Sequence, residues 1–121
     1  MAAALNAHAP PTVPVRFVPA AELPADASYE AFIAARHAVP TRDNGHDAFN
    51  GLVWLRLPHT KARLNALQAA AIARDGVQAT RGALRDAATV FDANAVLLHA
   101  PDALWQALAE RRWAELFGPL R

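Results

Sequence analysis

A dense group of polar side chains lies in the stretch TRDNGHDAFNGLVWL, residues 41–55, immediately before an apolar segment. Its members are Arg42, Asp43, Asn44, His46, Asp47 and Asn50. On a helix, His46 and Asn50 lie one turn apart, and Asp47 lies about 100° to one side of them. A histidine beside a carboxylate can act as a general base or a metal ligand, with the carboxylate orienting its ring. The cluster therefore fits an active site, a ligand pocket or an elaborate helix cap.

A second polar row follows in the next predicted helix. Lys61, Asn65 and Gln68 recur at helical spacing beside an apolar stripe of Leu64, Leu67 and Ala71. If the two helices pack as a hairpin around Pro58, the two polar rows face each other. They then form a concave site in which a lysine can hold an anion.

For the first cluster, a structural role as a helix cap is favoured over a role as an active site or a ligand pocket. Asn44 or Asp43 is a typical N-cap, and Asp47 in the first turn complements the helix dipole. Two adjacent residues, His46 and Asp47, are a weak signal for a metal-dependent phosphohydrolase, because His37 lies too close upstream to supply a third ligand. The His-Glu-x-x-His spacing, the phosphate-binding loop and the Gly-x-Ser-x-Gly motif are absent from the sequence. No metal site is predicted, and the sequence identifies no cofactor.

Two acidic residues further along suggest a paired-carboxylate site. Asp86 is more simply explained by an ion pair with Arg81, Arg85 or Arg42, since structural ion pairs are common. Asp92 is expected to form a turn. The predicted ligand-binding set is Arg42, Asn50, Lys61, Asn65, Arg85 and Asp86, and the catalytic candidates are His46 and Asp47.

Composition narrows the class of protein. The 121 residues are 54% hydrophobic and 19% charged, which is typical of a globular domain, and the formal net charge is only +1. Binding to nucleic acid is therefore not expected. The chain has no cysteine, no basic signal-peptide start and no apolar run of membrane-spanning length, so a soluble, cytoplasmic protein without membrane contact is predicted.

The pattern of prolines and apolar residues predicts an α+β fold, mostly helical. Residues 1–26, rich in proline, are expected to form an extended arm in which 13–18 can lie as an edge strand, and residues 27–121 a single domain. Helices are predicted over about 28–37, 46–57 and 60–74, with a further helical region after Pro101. The stretch ATVFDANAVLLH, residues 88–99, predicts a β-hairpin. Trp54, Trp105 and Trp113 occupy apolar helical positions and are expected in the core.

Two segments resemble a bacterial family known as domain of unknown function 3025. They are VPTRDNGHDAFNGLVWLRLPHTKARLNALQ, residues 39–68, and RGALRDAATVFDANAVL, residues 81–97. Because that family is uncharacterised, the resemblance implies motif positions but no activity. Those positions are Arg42, His46, Asp47, Asn50, Lys61, Asn65, Arg85, Asp86 and Asp92.

These observations support a ligand-binding or accessory domain whose polar cluster is largely structural. The first alternative is a hydrolase-like enzyme that uses His46 and Asp47, with or without a metal. The second is a protein-interaction module that uses the last helix, where Trp113, Leu116 and Phe117 share a face. The partner is then a small ligand or a protein, and the sequence sets neither its identity nor the oligomeric state.

Overall fold

The computed structural model describes residues 1–76, 82–95 and 98–119. Within these residues the helices are α1 (Ala2–Ala7), α2 (Tyr29–Arg36), α3 (Gly45–Arg56), α4 (Pro58–Asp75), α5 (Ala83–Asn94), α6 (Asp102–Ala109) and α7 (Trp113–Leu116). The strands are β1 (Arg16–Pro19) and β2 (Ala38–Thr41), and a 3-10 helix spans Ala20–Glu22. The predicted α+β, mostly helical class is confirmed. None of the described helices has the length and apolarity needed to cross a membrane.

The two strands form a parallel pair, with Phe17 opposite Val39. A parallel pair requires a crossover, and α2 provides it, since it lies between the strands in the chain. The chain leaves α2 at His37, which adopts a left-handed conformation with φ 49°. It then enters β2, of which all four residues are buried. The predicted edge strand within residues 13–18 is confirmed in part, since β1 covers 16–19.

The core lies between the sheet and the first helices. Leu5, Phe17, Ile33, Val39 and Trp54 form one buried cluster. Burial of each such side chain contributes about 1.5–3 kcal/mol. Because Trp54 belongs to this cluster, its expected position in the core is confirmed.

The first 26 residues contribute to this core. Leu5 of α1 packs directly on Gly51 of α3, where a Cβ atom would lie 2.8 Å from Leu5 Cδ2. Asn6 joins α1 to β1, because its Nδ2 donates to Phe17 O and its Oδ1 accepts from Phe17 N, each at 2.8 Å. The domain boundary at residue 26 stays a prediction.

The predicted hairpin at residues 88–99 is wrong. Residues 83–94 form α5, while 96 and 97 lie outside the described residues and 98–100 have no regular structure. The β-branched pair Thr89 and Val90 suggested a strand, but Ala83, Leu84 and the alanines at 87 and 88 are strong helix formers. Packing of α5 against α4 favours the helix further.

The buried face of α4 agrees with the prediction only in part. Its buried residues are Lys61, Asn65, Gln68, Ala71 and Ile72, whereas Leu64 and Leu67 are only partly buried. Two members of the predicted apolar stripe, Leu64 and Leu67, are therefore turned away from the centre, whereas its third member, Ala71, is buried and the polar row faces inward. The reason is that α2, α3 and α5 supply polar partners for this row, as described below.

Candidate ligand cavity

A cavity of about 620 Å³ opens between α2, α3, α4 and α5. Polar and apolar side chains both line it. The lining residues are Ala20, Leu23, Ser28, Tyr29, Glu30, Pro40, Arg42, His46, Asp47, Phe49, Asn50, Val53, Gln68, Arg85, Thr89 and Asp92. The cavity therefore receives side chains from segments far apart in the sequence.

One wall is fixed by an ion pair at the start of α3. Asp47 Oδ2 accepts from Arg42 N at 2.7 Å and from Arg42 Nε at 3.1 Å, and its Oδ1 accepts from Arg42 Nη2 at 3.0 Å. Asn44 is the N-cap, and its Oδ1 accepts from Asp47 N at 2.8 Å. The hydrogen bonds from the Arg42 side chain hold the pKa of Asp47 below its ordinary value. Both oxygens of Asp47 are thus committed to ordering the loop before α3.

A buried lysine joins α3, α4 and α5 behind the cavity. Lys61 Nζ donates to Asn50 Oδ1 at 2.8 Å and to the two carboxylate oxygens of Asp92 at 2.6 and 2.8 Å. It also lies 5.7 Å from the centre of the Trp54 ring, a cation–π distance. Asn50 Nδ2 donates in turn to Tyr29 Oη at 3.4 Å. Burial raises the pKa of Tyr29, so this phenol stays protonated.

A third contact joins α4 to α2. Asn65 Nδ2 donates to Glu30 O at 2.9 Å and to Glu30 Oε2 at 2.7 Å. Burial raises the pKa of Glu30 above its ordinary value, although the Asn65 hydrogen bond and the charges of Lys61 and Arg85 oppose the shift. Burial favours the neutral acid because the carboxylate loses water on folding.

Two further polar side chains reach the cavity from α4 and α5. Gln68 is almost fully buried and lines the cavity. Arg85 lines it too, and its Nε is buried without a hydrogen-bond partner in the described part of the chain. A buried donor left without a partner is rare in folded proteins, and this one belongs to a side chain that also lines the cavity.

The chain matches the family described as Protein of unknown function (DUF3025) over residues 15–121. It belongs to that family. The resemblance drawn from the two sequence segments is therefore confirmed. Every residue that lines the cavity lies within the matched range. No curated protein and no solved structure matches the chain.

The structure places the sequence-predicted residues in three groups. The cavity is lined by Arg42, His46, Asp47, Asn50 and Arg85. Lys61 and Asn65 lie behind the wall, each bonded to a lining residue. Asp86 is exposed in the first turn of α5 and is not a lining residue.

Sequence reasoning missed Tyr29, Glu30 and Thr89 as lining residues and misassigned Asp92 to a turn. Tyr29 and Glu30 immediately follow the predicted cap Ser28, but nothing local shows that this end of α2 faces a cavity. The signal for Asp92 was its motif position in the family resemblance. Across residues 1–76, 82–95 and 98–119, no group of three or more histidine and acidic side chains is placed to hold a metal ion.

Proposed function

We propose that this domain binds a small organic ligand in the cavity between α2, α3, α4 and α5, with the surrounding polar pairs holding its walls. The observation that carries the proposal is the cavity itself. Its volume of about 620 Å³ falls within the roughly 300–1,000 Å³ that is usual for small-molecule sites. Such sites combine apolar walls with a few polar groups, and this cavity has both.

The hydrolase-like alternative has less support from the same geometry. A general base needs an oxygen or nitrogen that can take a proton from the substrate. Both oxygens of Asp47 already accept hydrogen bonds from Arg42, and those bonds lower its pKa. His46 is exposed at the margin of the cavity. These contacts favour a structural role for Asp47.

The proposal is tested by filling the cavity. Binding of the neutral fluorescent probe N-phenyl-1-naphthylamine is measured for the wild type, for Val53→Trp and for Leu52→Trp. Val53 lines the cavity, whereas its neighbour Leu52 is exposed and does not, so Leu52→Trp is the matched control. We expect Val53→Trp to weaken binding at least tenfold and Leu52→Trp to leave it unchanged.

Two outcomes contradict the proposal. One is that the wild type does not bind the probe. The other is that Val53→Trp binds it as tightly as the wild type while keeping its circular dichroism spectrum. Ala20→Trp, at a second lining position, replaces Val53→Trp if the latter fails to fold.

Exposed aromatic residues favour protein association through the C-terminal region as a second candidate function. Trp113 and Phe117 are 50% and 69% exposed and stack with ring centres 6.3 Å apart. The expectation that Trp105 and Trp113 lie in the core is wrong, since α6 and α7 leave both half exposed. Association predicts a mass that rises with protein concentration in sedimentation and falls to the monomer value in Phe117→Ser. A monomeric wild type at all concentrations contradicts self-association.

A further inference from the structure

The charges around the cavity are mostly neutralised in pairs. Arg42 pairs with Asp47, and Lys61 pairs with Asp92. Arg85 of α5 and Glu30 of α2 also line the cavity and belong to neither pair. Burial raises the pKa of Glu30, and the charge of Arg85 opposes this rise. Of the two arginines that line the cavity, Arg42 has a carboxylate in ion-pair contact, whereas Arg85 has none within the described part of the chain.

Arg85 is chemically suited to one class of ligand group. A guanidinium presents its N–H donors in a planar fork that matches the two oxygens of a carboxylate. The Nε donor of Arg85 is buried and has no partner in the described part of the chain. The Arg85 side chain lines the cavity, so an acceptor there can approach its guanidinium group.

The remaining walls restrict the rest of the ligand. Leu23, Pro40, Phe49 and Val53 provide an apolar surface in the same cavity. The apolar part of a ligand can pack against these side chains while its acidic head group contacts α5. Gln68, almost fully buried, adds an amide that can donate to or accept from the head group.

We propose that the ligand is a small monocarboxylic acid with an apolar body, and that its carboxylate accepts hydrogen bonds from Arg85. This inference rests on the proposed ligand-binding function and specifies its chemistry. A carboxylate is favoured over a phosphate because three carboxyl groups, Glu30, Asp47 and Asp92, line the cavity beside two guanidinium groups. A dianion would meet stronger repulsion there than a monoanion.

The test compares an acid and an amide that share one body, together with a phosphate that carries the same phenyl ring. Binding of 3-phenylpropanoate, 3-phenylpropanamide and phenyl phosphate is measured by calorimetry. The proteins are the wild type, Arg85→Gln, Arg85→Lys and the control Arg63→Gln, whose side chain is exposed on α4 and does not line the cavity. Circular dichroism establishes that each variant is folded.

For the wild type we expect the acid to bind at least tenfold more tightly than the amide, a difference of about 1.4 kcal/mol. Arg85→Gln should remove that preference, and Arg63→Gln should keep it. Arg85→Lys keeps the charge but loses the planar fork, so its preference should be intermediate. If Arg85→Gln does not fold, the Arg85→Lys comparison carries the test alone.

Three results overturn the inference. They are equal binding of acid and amide by the wild type, tighter binding of phenyl phosphate than of the acid, and an acid preference that survives in Arg85→Gln. Each leaves the proposed function standing if the neutral probe still binds and Val53→Trp still blocks it. If neither the probe nor any of the three compounds binds, the proposed function fails together with the inference.

Discussion

Replacing Lys61 by Met should destabilise the domain, because it removes a buried charge that donates to Asn50 and Asp92. Met has nearly the same length and volume, so packing is conserved while the charge and its donors are lost. Asp92 and Asn50 then lose their common donor. The change therefore isolates the polar junction of α3, α4 and α5.

The magnitude follows from the burial of the two partners. The Lys61 and Asp92 side chains are 7% and 26% exposed. Removing one partner of a fully buried pair costs about 3–5 kcal/mol. Because Asp92 keeps contact with water, we reduce this to about 2–3 kcal/mol of unfolding free energy. For a domain of this size, that corresponds to a fall in Tm of roughly 6–15 °C.

Urea unfolding monitored by circular dichroism measures the loss. Arg63→Met is the matched control, because Arg63 is exposed two positions away on the same helix. It should leave stability unchanged. The double variant Lys61→Met/Asp92→Leu replaces the pair by apolar groups and should recover to within about 1 kcal/mol of the wild type. Asp92→Leu alone leaves the buried Lys61 without its carboxylate and should cost at least as much as Lys61→Met, so the coupling free energy between the two positions is at least about 3 kcal/mol.

A cost of Lys61→Met below about 0.5 kcal/mol, the usual range for exposed positions, would contradict a stabilising role of the buried pair. Simple additivity of the effects of Lys61→Met and Asp92→Leu would contradict it as well. In either case, Lys61 and Asp92 would not form the junction that holds α5 against α4.

Two further predictions concern pH. The pKa of Asp47 is lowered by Arg42, so its stabilising contribution is present above the ordinary value of 3.8 and is lost as the pH falls through the lower folded pKa. Asp47→Asn should cost about 1 kcal/mol at neutral pH and progressively less in acid, as urea unfolding across pH would show. An undiminished cost in acid would contradict this. The pKa of Glu30 is raised, so the wild type should lose stability as the pH rises from 4.5 through the higher folded pKa. Glu30→Gln, which still accepts from Asn65, should lack this loss, and parallel pH profiles would count against the assignment.

The early helices were predictable because their ends carry local signals. Asn44 lies at the start of α3 and caps it through Asp47 N, as cap preferences indicate. Gly76 follows α4 with φ 72°, a backbone conformation that glycine adopts easily. The facing polar rows were also anticipated, since Lys61 and Asn50 meet if the helices pack around Pro58.

The cavity itself was not predictable from one sequence. Its far wall is α5, and the strand propensity of Thr89 and Val90 hid that helix. The Lys61–Asp92 pair joins residues 31 positions apart, and no local pattern encodes such a contact. A lysine is rarely buried without a partner. Because Asp92 was assigned to a turn, the sequence offered no carboxylate partner for Lys61, and the burial of Lys61 was not predicted.

The most direct test of ligand binding in this cavity is a nitrogen–proton correlation spectrum of the wild type titrated with 3-phenylpropanoate. Binding as proposed should shift the Arg85 Nε–H signal and the side-chain amide signals of Gln68 and Asn50, all of which lie at the cavity. Shifts confined to α6 and α7, or none at saturating ligand, would contradict the account.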